Sequence, residues 1–155
     1  MKMKKALVIL AFIMLLTAAC AKEEPARDVS VLQLAAAVNT GDQFDMLFET
    51  EQEYVEDMTG LDMSLLEEYY FGDPSIDHAT TLYIVKVKDD QDISRIHAAL
   101  EKRLNIIQNS FEQGKPDQYE LAQQGVIVEN GRYVMLVIAK DMEKALNDFE
   151  DAIGR

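Results

Sequence analysis

The chain has 155 residues, with 15 Lys and Arg against 28 Asp and Glu and a formal net charge of −13. That length suits one domain whose core stands without disulfide or metal staples, and a single cysteine could not form a disulfide within the chain anyway. A surface this acidic repels phosphate backbones and anionic headgroups, which excludes nucleic acid as a partner and favours cationic ones, besides serving solubility.

The chain opens with Lys2, Lys4 and Lys5, then an apolar run from Ala6 to Ala19 that ends at Cys20, the only cysteine. The run falls short of the about 20 residues a helix needs to cross a bilayer. A basic start, a short apolar stretch and Ala18-Ala19 match an export signal that is cleaved. Leu16-Thr17-Ala18-Ala19-Cys20 resembles a lipobox, in which the cysteine sulfur receives diacylglycerol and becomes the new N-terminus; Thr17 stands where leucine is usual. Two acyl chains hold stably where one binds only marginally. The expected organisation is a lipoprotein signal peptide over 1–19, a flexible tether over 20–27 and a single domain over 28–155. The expected location is the outer face of the cytoplasmic membrane, with the membrane held through a diacylglyceryl group on Cys20. Residues 1–19 contain three lysines and no acid, so the remainder carries 12 basic and 28 acidic residues, a net charge of −16.

Beyond the tether, Asp28 is a candidate N-cap for a helix with Val31, Leu34, Ala35 and Val38 on one face and Gly41 as its stop. Phe44, Leu47 and Phe48 come next among many acids, and 51–59 reads as a short helix with Tyr54, Val55 and Met58 inward, ending at Gly60. Leu65 to Phe71 reads as a strand leading into a Gly72-Asp73-Pro74-Ser75 loop. Thr81 to Lys88, rich in β-branched residues and bounded by Asp89-Asp90, is a second strand. Asp92 then caps a helix over 92–112, in which Ile93, His97, Leu100, Leu104, Ile107 and Phe111 form an apolar stripe and Arg95, Glu101, Lys102 and Arg103 supply polar surface. Gly114 and Pro116 mark its end. Val126 to Glu129 and Arg132 to Ala139 form a hairpin around Asn130-Gly131, a pair suited to a type I′ turn. Its second arm is apolar on both faces and belongs in the sheet interior. Asp141 caps a last helix with Met142, Ala145, Leu146, Phe149 and Ile153 inward. The pattern predicts an α+β two-layer sandwich, a mainly antiparallel sheet of about four strands with helices on one face.

Catalytic constellations are absent from this pattern, and no catalytic, cofactor or metal residue is assigned. Ser64, Ser75, Ser94 and Ser110 lack the Gly-x-Ser-x-Gly setting of an activated nucleophile. His97 on the apolar stripe reads as a core or boundary histidine, and His78 beside Asp77 as a solvated loop residue. Two isolated histidines without a thiol do not make a zinc site. Asp89-Asp90-Gln91-Asp92 has oxygen ligands but lacks the spacing, glycine and terminal glutamate of an EF-hand loop; it reads as a turn and a cap. The glycines form no phosphate-cradling loop. Tyr69, Tyr70 and Phe71 read as core, with a binding surface as the alternative. The resulting expectation is a non-enzymatic binding or assembly module whose partner is an envelope protein or wall component. A carboxylate-dependent wall hydrolase and a calcium-dependent domain are the rival readings.

Met58-Thr59-Gly60-Leu61-Asp62, Glu67-Glu68-Tyr69, the strand from Leu82 to Asp89, the helix through Leu100 and Arg103 to Phe111, and Gly131-Arg132-Tyr133-Val134-Met135-Leu136-Val137 occur in that order. Together with the lipobox, this order resembles domain of unknown function 4358, a family typical of Firmicutes lipoproteins, over about residues 30–153. Relatives tend to carry an acidic residue where this chain has Thr80-Thr81, and an aromatic where it has Gly114-Lys115 before Pro116. The resemblance implies no catalytic residue.

Overall fold

The structure is a computed structural model that describes residues 27–154. The signal peptide, Cys20 and the tether up to residue 26 lie outside the described residues. Five strands form one antiparallel sheet: β1 (Phe48–Glu49), β2 (Leu66–Asp73), β3 (Thr81–Val87), β4 (Val126–Asn130) and β5 (Tyr133–Ile138). They lie in the order β1-β2-β3-β5-β4. Among the described residues there are five α-helices: α1 (Val31–Val38), α2 (Gln52–Thr59), α3 (Ile93–Phe111), α4 (Pro116–Gln123) and α5 (Met142–Ile153). None is long and apolar enough to cross a membrane.

The α+β class and the antiparallel sheet are as expected, with five strands where the sequence pattern predicts about four. The layering differs from the expected one-sided sandwich, because the sheet is covered on both faces. Side chains alternate across a strand, so β3 sends Leu82 and Ile84 one way and Tyr83 and Val85 the other, and β5 splits Met135 and Val137 from Val134 and Leu136. Leu34 and Val38 of α1 and Phe149 and Ile153 of α5 close over the first set. Ile96 and Leu100 of α3, with Val55 of α2, close over the second. Every residue of β3 and β5 is buried, which is why these two strands read as apolar without alternation.

Several local expectations change for identifiable reasons. Ser30, rather than Asp28, caps α1: its hydroxyl accepts from the Gln33 backbone while Gln33 reaches back to the Ser30 N–H. This reciprocal box satisfies two helix-end donors at once. Asp92 makes no capping bond to α3 and instead pairs with Arg95, while Asp89 accepts from the Gln91 N–H. Pro116 does not only come after a helix; it begins α4, where its missing N–H costs nothing. The β4–β5 turn is centred on Gly131-Arg132, not on Asn130-Gly131. Gly131 has φ +57° and among the described residues no residue other than glycine has positive φ, so a type I′ turn, which needs two positive values, is ruled out. Asn130 instead bonds Glu150 of α5 (2.9 Å).

The arm before α1 is clasped to one end of the sheet. The Arg27 N–H donates to the Ile153 carbonyl (3.0 Å), and the Tyr133 hydroxyl both donates to the Val29 carbonyl (2.6 Å) and accepts from the Val29 N–H (2.9 Å). Beside it Lys86, only 3% exposed, meets Asp28 (2.6 Å), Glu67 (2.8 Å) and Glu68 (3.9 Å). The register of β2 against β3 shifts between Leu66 and Glu68, and such a bulge sets an extra residue opposite the partner strand. That shift brings both glutamates to the same lysine. The hydrogen bonds that Lys86 donates to Asp28 and Glu67 hold its pKa well above its ordinary value.

Candidate functional site

The end of the sheet opposite the clasp holds a cavity of about 390 Å³ between the loop after β2 and the C-terminal half of α3. Its floor is polar and its wall apolar. Asp73, the last residue of β2, lies two residues beyond Phe71 on the same side of the strand and therefore points to the α3 face. Tyr83 stands opposite Phe71 on β3, with the rings 4.9 Å apart. Arg103 reaches down from α3, its guanidinium carbon 5.6 Å from the Tyr83 ring centre.

These side chains close a network. Arg103 Nη2 donates to Asp73 Oδ1 (2.8 Å) and Arg103 Nε to the Tyr83 hydroxyl (3.0 Å). The Tyr83 hydroxyl donates to Asp73 Oδ2 (2.5 Å), which also accepts from the Thr50 hydroxyl (2.9 Å). Thr50 is held there because its N–H joins the Phe71 carbonyl (2.8 Å), extending the pairing of β1 with β2. Asp73 thus receives three donors, two of them hydroxyls. Its side chain is 15% exposed and that of Arg103 11%.

Burial pushes the Tyr83 phenol far above its ordinary pKa; the Arg103 charge opposes that shift and the Asp73 charge adds to it. Burial works against the Arg103 cation, but Tyr83 and Asp73 outweigh it and raise its pKa. Around neutral pH Arg103 is therefore a guanidinium cation and Tyr83 a neutral phenol. Arg103 Nη1 makes no hydrogen bond among the described residues, and Arg103 lines the cavity. It remains able to donate to something placed there.

Ile106, Ile107 and Phe111 of α3 form the apolar wall, with Tyr54 of α2 and Ile76 at the mouth. Ile76 is 94% exposed. His78, also lining the cavity, lies 3.3 Å from Asp45, which pairs in turn with Lys140 (2.8 Å). Asp73 is the one carboxylate among the lining residues. A second hollow, also about 390 Å³, adjoins the first through Thr50 and is edged by Glu49, Glu51, Glu53 and Tyr69.

The residues weighed from the sequence are dispersed. His97 is 39% exposed and faces Glu129 of β4 (2.5 Å), a boundary position far from the cavity. The aromatic triplet divides as a strand must: Phe71 is buried, Tyr69 stacks on it (5.0 Å) but stays exposed, and Tyr70 turns to the other face. Among the described residues no group of three His, Cys, Asp or Glu could hold a metal ion. Arg103, expected on the polar surface, is instead nearly buried. Its signal was its spacing, three residues after Leu100 and four before Ile107, which sets it on the apolar stripe.

No curated protein and no solved structure matches the chain. A family model does: the domain of unknown function DUF4358 matches residues 40–139, from before β1 to just after β5, a span that holds Asp73, Tyr83 and Arg103. The chain belongs to that family.

Proposed function

We propose that the protein is a lipid-anchored, non-enzymatic binding module at the outer face of the cytoplasmic membrane, attached through Cys20, and that the cavity over Arg103 receives its ligand. The observation that carries this reading is how the floor spends its polar groups. Asp73 is engaged by three donors and is 15% exposed, so it is poorly placed to move a proton, whereas Arg103 Nη1 is unspent. That arrangement favours recognition over turnover. A retaining or inverting glycosidase works with two carboxyls about 5 to 9.5 Å apart, and the lining offers one. The lipobox supports the location.

The test uses the full-length chain in cells. Labelled palmitate should enter the wild-type protein, and Cys20→Ala should lose both the label and membrane association. A photo-crosslinking residue at position 76, on the cavity mouth, should trap a discrete envelope adduct that the same residue at position 32, on exposed Leu32, does not. Membrane attachment that survives Cys20→Ala would overturn the anchor. Release of soluble wall fragments by the purified protein, without an adduct, would overturn the binding reading in favour of a hydrolase.

A further inference from the structure

Two exposed large apolar side chains, Tyr54 and Ile76, line the cavity mouth, and a third, Phe48, stands opposite Asp73 across β1 and β2. Exposed large apolar groups at the edge of a cavity mark a contact surface rather than scattered surface residues. The second hollow, joined to the cavity through Thr50, is of the opposite character. Its Glu49, Glu51 and Glu53 are exposed, and none takes part in an ion pair among the described residues. Some acids are neutralised locally, Asp28 and Glu67 by Lys86, Asp45 by Lys140 and Asp148 by Lys144. Others, such as Asp57 and Glu112, are exposed and without an ion pair among the described residues too, but Glu49, Glu51 and Glu53 together edge the hollow that adjoins the cavity through Thr50. Beside the second hollow lies β1, the two-residue end strand of the sheet, which among the described residues pairs only with β2. Its outer side is unpaired among the described residues, and such an edge can add a further extended strand.

We infer that this surface binds an extended peptide segment of a cationic protein, with an apolar side chain seated in the cavity and neighbouring Lys or Arg residues over Glu49, Glu51 and Glu53. The inference rests on the binding-module reading and names the partner's chemistry. Each part of the surface takes one part of such a segment. Ile106, Ile107 and Phe111 cover the apolar side chain, and Arg103 Nη1 donates to a backbone carbonyl beside it. The unpaired acids meet the flanking cations, and the edge of β1 meets the main chain. A free anion would gain Arg103 but approach a strongly acidic surface. A polycation without apolar groups would leave the cavity and its rim uncovered. The occupant that satisfies both hollows combines the two properties.

The experiment titrates the lipidated full-length chain in phosphatidylcholine nanodiscs with three capped pentapeptides: acetyl-Lys-Phe-Lys-Leu-Lys-amide, its Glu-for-Lys counterpart, and acetyl-Lys-Ala-Lys-Ala-Lys-amide. Calorimetry at low ionic strength should give the first peptide about tenfold tighter binding than either control, with a marked loss of affinity as salt rises. Replacing the three acids together (Glu49→Gln, Glu51→Gln, Glu53→Gln) should weaken it about tenfold and flatten the salt dependence. Ile76→Ser should weaken it about threefold to fivefold at every ionic strength. All four positions are exposed, so these variants fold. Equal binding of the three peptides, or indifference to both sets of substitutions, would overturn the inference. No peptide binding together with an adduct from position 76 in cells would overturn it while leaving the binding-module reading standing. Loss of both would overturn the two together.

Discussion

Removing Asp73 should cost the fold more than removing Arg103, although the two share one ion pair. Asp73→Ala takes from Arg103 its only anionic partner, leaving a side chain that is 11% exposed with the neutral Tyr83 hydroxyl as its remaining acceptor. Stranding a nearly buried charge costs about 3 to 5 kcal/mol, and the neighbouring cavity admits water, so about 3 kcal/mol is expected here. Arg103→Met keeps the aliphatic stem, and Asp73 retains the hydroxyls of Tyr83 and Thr50. The variant loses the two guanidinium bonds, to Asp73 and to the Tyr83 hydroxyl, at a cost of about 2 kcal/mol because both acceptors keep other partners. The double variant removes the stranded charge along with its partner, so it should be no less stable than Asp73→Ala alone, a coupling of about 2 kcal/mol. Urea denaturation of the four proteins, monitored by circular dichroism with a common slope, measures each difference. In melting experiments about 1 kcal/mol corresponds to roughly 4 °C for a domain of this size. An Arg103→Met variant as unstable as Asp73→Ala, or strictly additive effects, would refute the account of the floor.

The same geometry makes three further outcomes measurable. The raised Tyr83 pKa means the folded state keeps a proton that the unfolded state releases from about pH 10 upward, so its contribution is intact below pH 10 and declines above it. Melting temperatures across that range should fall less steeply in Tyr83→Phe than in the wild type, and an unchanged slope would count against burial as the cause of the shift. Gly125 lies where an added Cβ would come within 2.6 Å of Leu104 Cδ1 and 2.7 Å of Ile138 Cγ1; Gly125→Ala should destabilise by about 1 to 3 kcal/mol through overpacking, and neutrality in urea titration would show that α3 and β5 yield there. Tyr133→Phe removes both bonds that hold Val29, at a cost of about 1 to 2 kcal/mol, and should speed tryptic cleavage after Arg27; an unchanged cleavage rate would show that Arg27 and Asp28 suffice to hold the arm.

Much of the scaffold was legible because its signals are periodic. The α3 stripe, the β3 run, the hairpin and the last helix each repeat one spacing over many residues, and local chemistry agrees with packing. The errors came where two signals compete at one residue. Pro116 stops one helix and starts another, and only the second role depends on the residues after it. Asp28 and Ser30 are both good caps; the nearby Lys86 claims the aspartate and leaves the serine to the helix. The one-sided layering failed because a buried β-branched strand looks the same whether helices or a second sheet cover its faces. The cavity floor was the least legible part. Asp73, Tyr83 and Arg103 come from a strand end, a neighbouring strand and a helix, and nothing periodic joins them. Arg103 carried a trace of its burial in its spacing, yet the choice between a surface and a buried arginine waits on an acceptor, and that acceptor lies 30 residues away in sequence.

Under the proposed attachment at Cys20, the clasped arm sets which pole of the domain faces the membrane. Lys86 and Tyr133 mark the pole where the chain arrives, and Thr81 and Asp73 mark the other, about 17 Å away along β3 at about 3.3 Å per residue. With that proposed anchoring, the arrival pole is the one that lies toward the lipid surface. The cavity then looks outward, and the acidic hollow beside it adds to the stand-off from anionic headgroups that turns this pole away from the bilayer. A partner would meet this protein from the wall side, and lengthening the tether would extend its reach without changing which pole it presents.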